Sequence, residues 1–137
     1  MPIMNIALIA HDSKKELMVQ LCIAYKGILQ KHNLLSTAGT GRLVKEATGI
    51  EVQTFLSGPL GGYQQIAARI SYNEIDFLMF LRDPLLLKRS ESDVDELMKL
   101  CDIHTIPFAT NLATAEVLIQ GLERGDFDWR DIVNPKR

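Results

Sequence analysis

The residues of this chain best suited to chemistry lie in two small-residue stretches, Thr37-Ala-Gly39-Thr40-Gly41 and Ser57-Gly58-Pro-Leu-Gly61-Gly62. Small side chains let backbone N–H groups close on an anion, and a helix starting there adds the positive end of its dipole. Thr37, Thr40 and Ser57 add hydroxyl donors, Gly39 and Gly58 add bare N–H groups, and Lys15 adds a point charge. Either stretch alone reads as well as a left-handed turn or a helix cap. Two of them with a lysine fit a phosphate monoester. Four titratable residues, His11, Asp12, Asp83 and Asp93, complete the set. His11 can polarise a carbonyl oxygen and Asp12 can orient it. Asp12 equally suits a helix N-cap, Asp83 before Pro84 a turn, and Asp93 the first turn of a helix.

These residues need elements that bring them to one place, and the hydrophobic pattern supplies them. Apolar runs predict strands over 5–10, 34–37, 51–56, 75–81 and 105–109, the fourth being the most apolar and central. Helical spacing predicts helices over 13–31, 42–48, 61–71, 93–101 and 114–122, with Leu17, Leu21, Ala24, Ile28 and Leu29 on the inner face of the first and a stop at Gly49 for the second. The segment from Asp126 to Arg130 reads as an exposed tail. This alternation predicts an α/β fold: a single doubly wound domain over 1–137, a five-stranded parallel sheet with helices on both faces. Ligands in such folds bind beyond the carboxyl ends of the strands. His11-Asp12, Thr37–Gly41, Ser57–Gln65 and Asp83-Pro84 each follow a predicted strand. A receiver domain of two-component signalling shares the strand count but needs an aspartate and a lysine where Ser57 and Asn111 stand.

The chain has 137 residues, is 47% hydrophobic and carries a formal net charge of −2, with no basic tract, which argues against nucleic-acid binding. The run at 75–81 is too short to span a membrane, and the apolar start lacks the flanks of a signal peptide. Cys22 and Cys101 have no ligand spacing and read as buried thiols, and His11, His32 and His104 form no metal motif. A cytoplasmic protein with no cofactor and no metal is expected.

The run Ile6-Ala-Leu-Ile-Ala-His11-Asp12 followed by Lys15, the run Ser57-Gly-Pro-Leu-Gly-Gly62, the pair Gln64-Gln65, the segment from Phe80 to Leu85 and Ile106-Pro-Phe-Ala-Thr-Asn111 together resemble methylglyoxal synthase over nearly the whole chain. That family eliminates phosphate from dihydroxyacetone phosphate to give methylglyoxal, without metal or cofactor. A carboxylate removes a proton beside the carbonyl and an ene-diolate expels phosphate. The resemblance implies phosphate binding by Lys15, Thr37, Gly39, Thr40, Ser57 and Gly58, and active-site roles for His11, Asp12, Asp83 and Asp93. It also implies a homo-oligomer, a hexamer.

The sequence departs from the family pattern at four places. Tyr63 stands at the position of the family's catalytic aspartate, and a phenol, with a pKa of about 10, is a poor base near neutrality. Ser90 replaces a family histidine and cannot titrate. Gly39 replaces a threonine and loses one hydroxyl donor. The family's C-terminal arginine has only Arg137 as a counterpart. The phosphate half of the site is kept and the proton-transfer half is changed. A slowed enzyme, a catalytically silent sensor of phosphate or a phosphorylated metabolite (as in the similar regulatory domain of carbamoyl-phosphate synthetase), and an assembly subunit are the three functional readings.

Overall fold

The alternating pattern becomes alternating structure. The computed structural model describes residues 2–86 and 90–135, and of 90–92 the helical backbone alone. The strands are β1 (Asn5–Ala10), β2 (Asn33–Ser36), β3 (Val52–Thr54), β4 (Phe77–Leu81) and β5 (Phe108–Ala109). The helices are α1 (Lys15–Ala24), α2 (Lys26–Leu29), α3 (Ala38–Thr48), α4 (Gly62–Ser71), α5 (Ser90–His104), α6 (Leu112–Glu123) and α7 (Trp129–Val133), with 3-10 turns at Asp12–Lys14 and Gly58–Leu60. All strand pairs are parallel, in the order β3-β2-β1-β4-β5.

The sheet has helices on both faces, as the pattern predicts. β1 shows why: Ile6, Leu8 and Ala10 join one core with Met18, Leu21 and Cys22 of α1, Val44 of α3 and Ile119 of α6. Ala7 and Ile9 join another with Ile66 and Ile70 of α4 and Val94 and Leu97 of α5. A strand apolar on both faces must be covered on both. The middle strand is therefore β1, not β4, which lies beside it and is equally buried. The chain winds outward from β1 through β2 to β3, then crosses to β4 and β5. The order reverses between β1 and β4, which opens the crevice where such sheets bind ligands.

Three differences from the predicted elements matter. The first helix is not continuous over 13–31. It breaks at Tyr25, whose φ of −110° and ψ of 23° leave the helical region. Gly27 weakens continuation, and the new direction seats Leu29 in the core. The inner face of α1 is Met18, Leu21 and Cys22, while Ala24 is exposed. Next, α3 starts at Ala38 rather than Arg42, so the predicted glycine loop is itself the first turn of a helix. It ends at Gly49, at a φ of 76°, as predicted. Last, β5 begins only at Phe108, because Thr105 takes a φ of 55° that no strand accepts.

The predicted exposed tail is also corrected. Phe127 and Arg130 are buried. The Arg130 guanidinium lies 3.5 Å from Asp76, donates to the Thr105 carbonyl, and donates to the His104 carbonyl at 3.3 Å. Asp76 in turn accepts from the Asn5 N–H at 2.8 Å. A buried charge is tolerated only when paired this way. Beyond it, the amide of Asn73 donates to the Asn134 carbonyl and Asn134 returns a bond of 2.7 Å to the Asn73 side chain. Arg137 lies outside the described residues.

Candidate functional site

The predicted residues meet at the carboxyl ends of β1, β2, β3 and β4. The first wall is the start of α3. Thr37 is its N-cap in extended conformation, with no side-chain cap bond. The N–H of Ala38 donates to the Leu56 carbonyl at 3.3 Å and that of Gly41 to the Thr37 carbonyl at 2.9 Å, while those of Gly39 and Thr40 are among the groups that a helix start leaves without an intrahelical partner. Thr40 is buried, and its hydroxyl has no hydrogen-bond partner among the described residues. Such a group is costly unless something bound to the site satisfies it. Lys15, in the first turn of α1, lies across this turn: a Cβ on Gly39 would stand 3.2 Å from its Nζ. An ammonium thus approaches closely to the backbone at Gly39. Asp12, whose side chain is solvent-exposed, pairs with Lys15 through Oδ1. That hydrogen bond and the lysine charge hold the Asp12 carboxyl below its usual range.

The second wall is the stretch after β3. Ser57 precedes the 3-10 turn, its carbonyl accepting from the N–H groups of Leu60 at 3.0 Å and Gly62 at 2.9 Å. Gly62 must be glycine: a Cβ there would stand 2.9 Å from the Ser57 carbonyl oxygen and nearer still to that of Leu56. The Gln65 side chain accepts from the Leu56 N–H at 2.8 Å, and the Leu56 carbonyl accepts from the Ala38 N–H at 3.3 Å. The two small-residue stretches are therefore tied to each other through Leu56.

The third wall joins the ends of β1 and β4. The Asp83 N–H donates to Nδ1 of His11 at 2.8 Å. A ring nitrogen that accepts carries no proton, so a neutral His11 holds its proton on Nε2. Asp83 itself accepts from the Leu85 N–H at 2.9 Å and from the Ser13 hydroxyl at 2.8 Å, which keep its carboxyl below the usual range. These bonds make Asp83 a brace for two turns. Ser90 opens α5, but its side chain lies outside the described residues.

Tyr63 points into this assembly. It is buried and stacks on Phe80, with ring centroids 5.6 Å apart and planes inclined by 21°. The ring also meets Gly58, where a Cβ would stand 2.7 Å from Cε1 and 2.8 Å from the hydroxyl. Phe80 also meets the His11 ring edge to face at 5.1 Å. Burial, and then the negative charges of Asp93 and Asp12, push the phenol's pKa above its ordinary value. Near neutrality Tyr63 is an uncharged donor and not a proton acceptor. What the pattern of residue types misses is Phe80, an apolar strand residue that orders both rings. The signal for it was only its position near the end of β4.

Size does not mark this cleft. A polar cavity of about 1090 Å³ opens at the opposite, amino ends of the strands, lined by residues such as Asn33, Thr48, Glu51, Arg69 and Tyr72. Among the described residues no helix is long and apolar enough to cross a membrane.

The chain is similar to known proteins over nearly its whole length. The family model for the MGS-like domain matches residues 18–110. A methylglyoxal synthase of Caldicellulosiruptor saccharolyticus is 65% identical over 133 residues, 97% of this chain and 94% of that protein. The chain belongs to the methylglyoxal synthase family. A methylglyoxal synthase of Thermoanaerobacter sp. (strain X514) is 58% identical over 94% of this chain and 98% of its own. The crystal structure of methylglyoxal synthase from Elizabethkingia anophelis NUHP1 superposes with a TM-score of 0.80 at 40% identity, covering 85% of this chain and 77% of that one.

Proposed function

We propose that this member of the family retains its phosphoryl-binding site and has lost most of its elimination chemistry. In this reading the chain acts as one domain over 1–137. Lys15, Thr37, Gly39, Thr40, Ser57 and Gly58 hold the phosphoryl group of dihydroxyacetone phosphate or of phosphate itself. The buried, unpartnered hydroxyl of Thr40 carries the reading, because it sits in a helix first turn with an ammonium alongside. An anion there would gain from the helix dipole and from Lys15.

For turnover, His11 would donate from Nε2 to the substrate carbonyl, and preorganised donors would stabilise the ene-diolate. The missing part is the base. Tyr63 is neutral, and the remaining carboxylates have other duties: Asp12 is paired with Lys15 and Asp83 braces two turns. Asp93 acts on Tyr63 through its charge. Loss of a general base costs ~10²–10⁴ in rate, and Ser90 removes a second titrating group. No metal or cofactor enters this reading, and the protein acts in the cytoplasm as a homohexamer. Incubation with dihydroxyacetone phosphate tests it: methylglyoxal formation at the rate of an active family member would overturn the loss of chemistry. Thermal stabilisation by phosphate, absent in Lys15→Ala/Ser57→Ala, tests the retained half. The mass of the native complex tests the hexamer.

The packing of Tyr63 against Gly58 and Phe80 favours the silent sensor over the slowed enzyme. A residue packed on both a phosphate stretch and the phenylalanine beside His11 is built into the site, not tolerated at its edge.

A further inference from the structure

Resting on the phosphoryl-binding reading, we infer that Tyr63 is a selectivity residue that admits free inorganic phosphate and excludes phosphate esters. Space in the cleft decides which ligand fits. An ester carries a carbon chain away from the phosphoryl group, and in this cleft the chain must run from the Ser57–Gly58 wall toward His11. The Tyr63 ring lies across that path. Its one side is closed against Gly58, close enough that not even a methyl group fits between them. The ring also stacks on Phe80, whose ring in turn abuts His11. Tyr63 and Phe80 together therefore run from the phosphate wall to the histidine.

The ring is also held. Tyr63 is the second residue of α4, behind Gly62, which admits no side chain of its own beside Leu56 and Ser57. Phe80 belongs to a strand buried along its whole length. Swinging the ring out would uncover apolar surface on both sides, and close-packed interiors resist such a void. The donors of the α3 turn are left open. Thr40, whose hydroxyl has no partner among the described residues, and Lys15 belong to the α1–α3 side of the cleft, away from the Gly58 face that the ring covers. A compact tetrahedral dianion can sit on that side and still reach Ser57, whereas an ester must also find room for its chain.

The test is calorimetric titration of the assembled wild-type protein with inorganic phosphate and with glycerol 3-phosphate, a monoester that cannot enolise. Wild type is expected to bind phosphate at least about tenfold more tightly than the ester, and Tyr63→Ala is expected to raise ester affinity by about tenfold or more. Tyr63→Phe keeps the ring and should keep the discrimination, which guards against a misfolded alanine variant. Ester binding to wild type as tight as phosphate, or discrimination unchanged in Tyr63→Ala, overturns the assignment and leaves the phosphoryl site standing. Binding of neither ligand overturns the phosphoryl site and this assignment with it.

Discussion

The two ends of the sheet use their buried polar groups differently. At the amino ends, Asp76 takes the Asn5 N–H and faces Arg130, and His32 accepts the Met4 N–H at 3.0 Å. Each joins distant parts of the chain. At the carboxyl ends, Thr40 is buried without a partner among the described residues and Lys15 reaches over the first turn of α3. One end uses its buried polar groups to join distant segments, and the other gathers a hydroxyl and an ammonium around one helix turn. Loss of a polar side chain at the first should therefore move stability, and at the second binding and rate.

The largest effect belongs to the carboxyl end. Tyr63→Asp places a carboxylate in the cleft and should raise methylglyoxal production from dihydroxyacetone phosphate by ~10²–10⁴ over wild type. An unchanged rate would mean that the other changes, Ser90 among them, are limiting. At the amino end, Arg130→Met leaves Asp76 buried without its cation and should cost ~3–5 kcal/mol in urea unfolding. Phosphate affinity of the folded variant should not move. Lys15→Ala removes a charged donor worth about 1.5–3 kcal/mol and should weaken phosphate binding by titration while the unfolding midpoint without ligand stays put.

Two smaller effects sharpen the contrast. Gly58→Ala forces a methyl into the Tyr63 ring and should destabilise by ~1–3 kcal/mol. In a Tyr63→Ala background the same change should cost much less, and a double-mutant cycle reads the coupling. His32 is held neutral, its pKa lowered mainly by burial and partly by Lys31, against the raising influence of Glu123, Asp128 and Asp76. The unfolded chain then binds a proton before the folded one does. The His32 contribution is complete above the unfolded pKa of about 6.5 and is lost as pH falls through the lowered folded value. Unfolding midpoints from pH 8 to pH 5 should fall less steeply in His32→Asn than in wild type.

Much of this was legible in the sequence because strands announce themselves. The runs at 5–10 and 75–81 are apolar without alternation, so they must be interior and parallel, and the residues after them must line the crevice. His11, Thr37, Ser57 and Asp83 were placed by that reasoning alone. The first turn of α3 was not, since Ala-Gly-Thr-Gly has poor helix propensity and only its position after Thr37 and above Lys15 makes a helix of it. The break at Tyr25 depends on where Leu29 must be buried, which no local spacing encodes. Tyr63 was recognisable as an unusual residue, but its direction depends on Phe80, contributed by β4. Arg130 was misread because a charged residue in a polar stretch belongs on the surface unless its partner is known, and Asp76 lies far from it in sequence.

The pairing of Asp76 with Arg130 has a consequence for how the protein is made. Domains emerge from the ribosome amino end first. β1 and β4 are synthesised well before residue 130, so Asp76 must wait, next to a forming core, for a cation that emerges later. Until then its carboxylate favours water over burial. The sheet can therefore associate early but can close around β4 only once α7 has emerged, which orders the steps of folding along the chain.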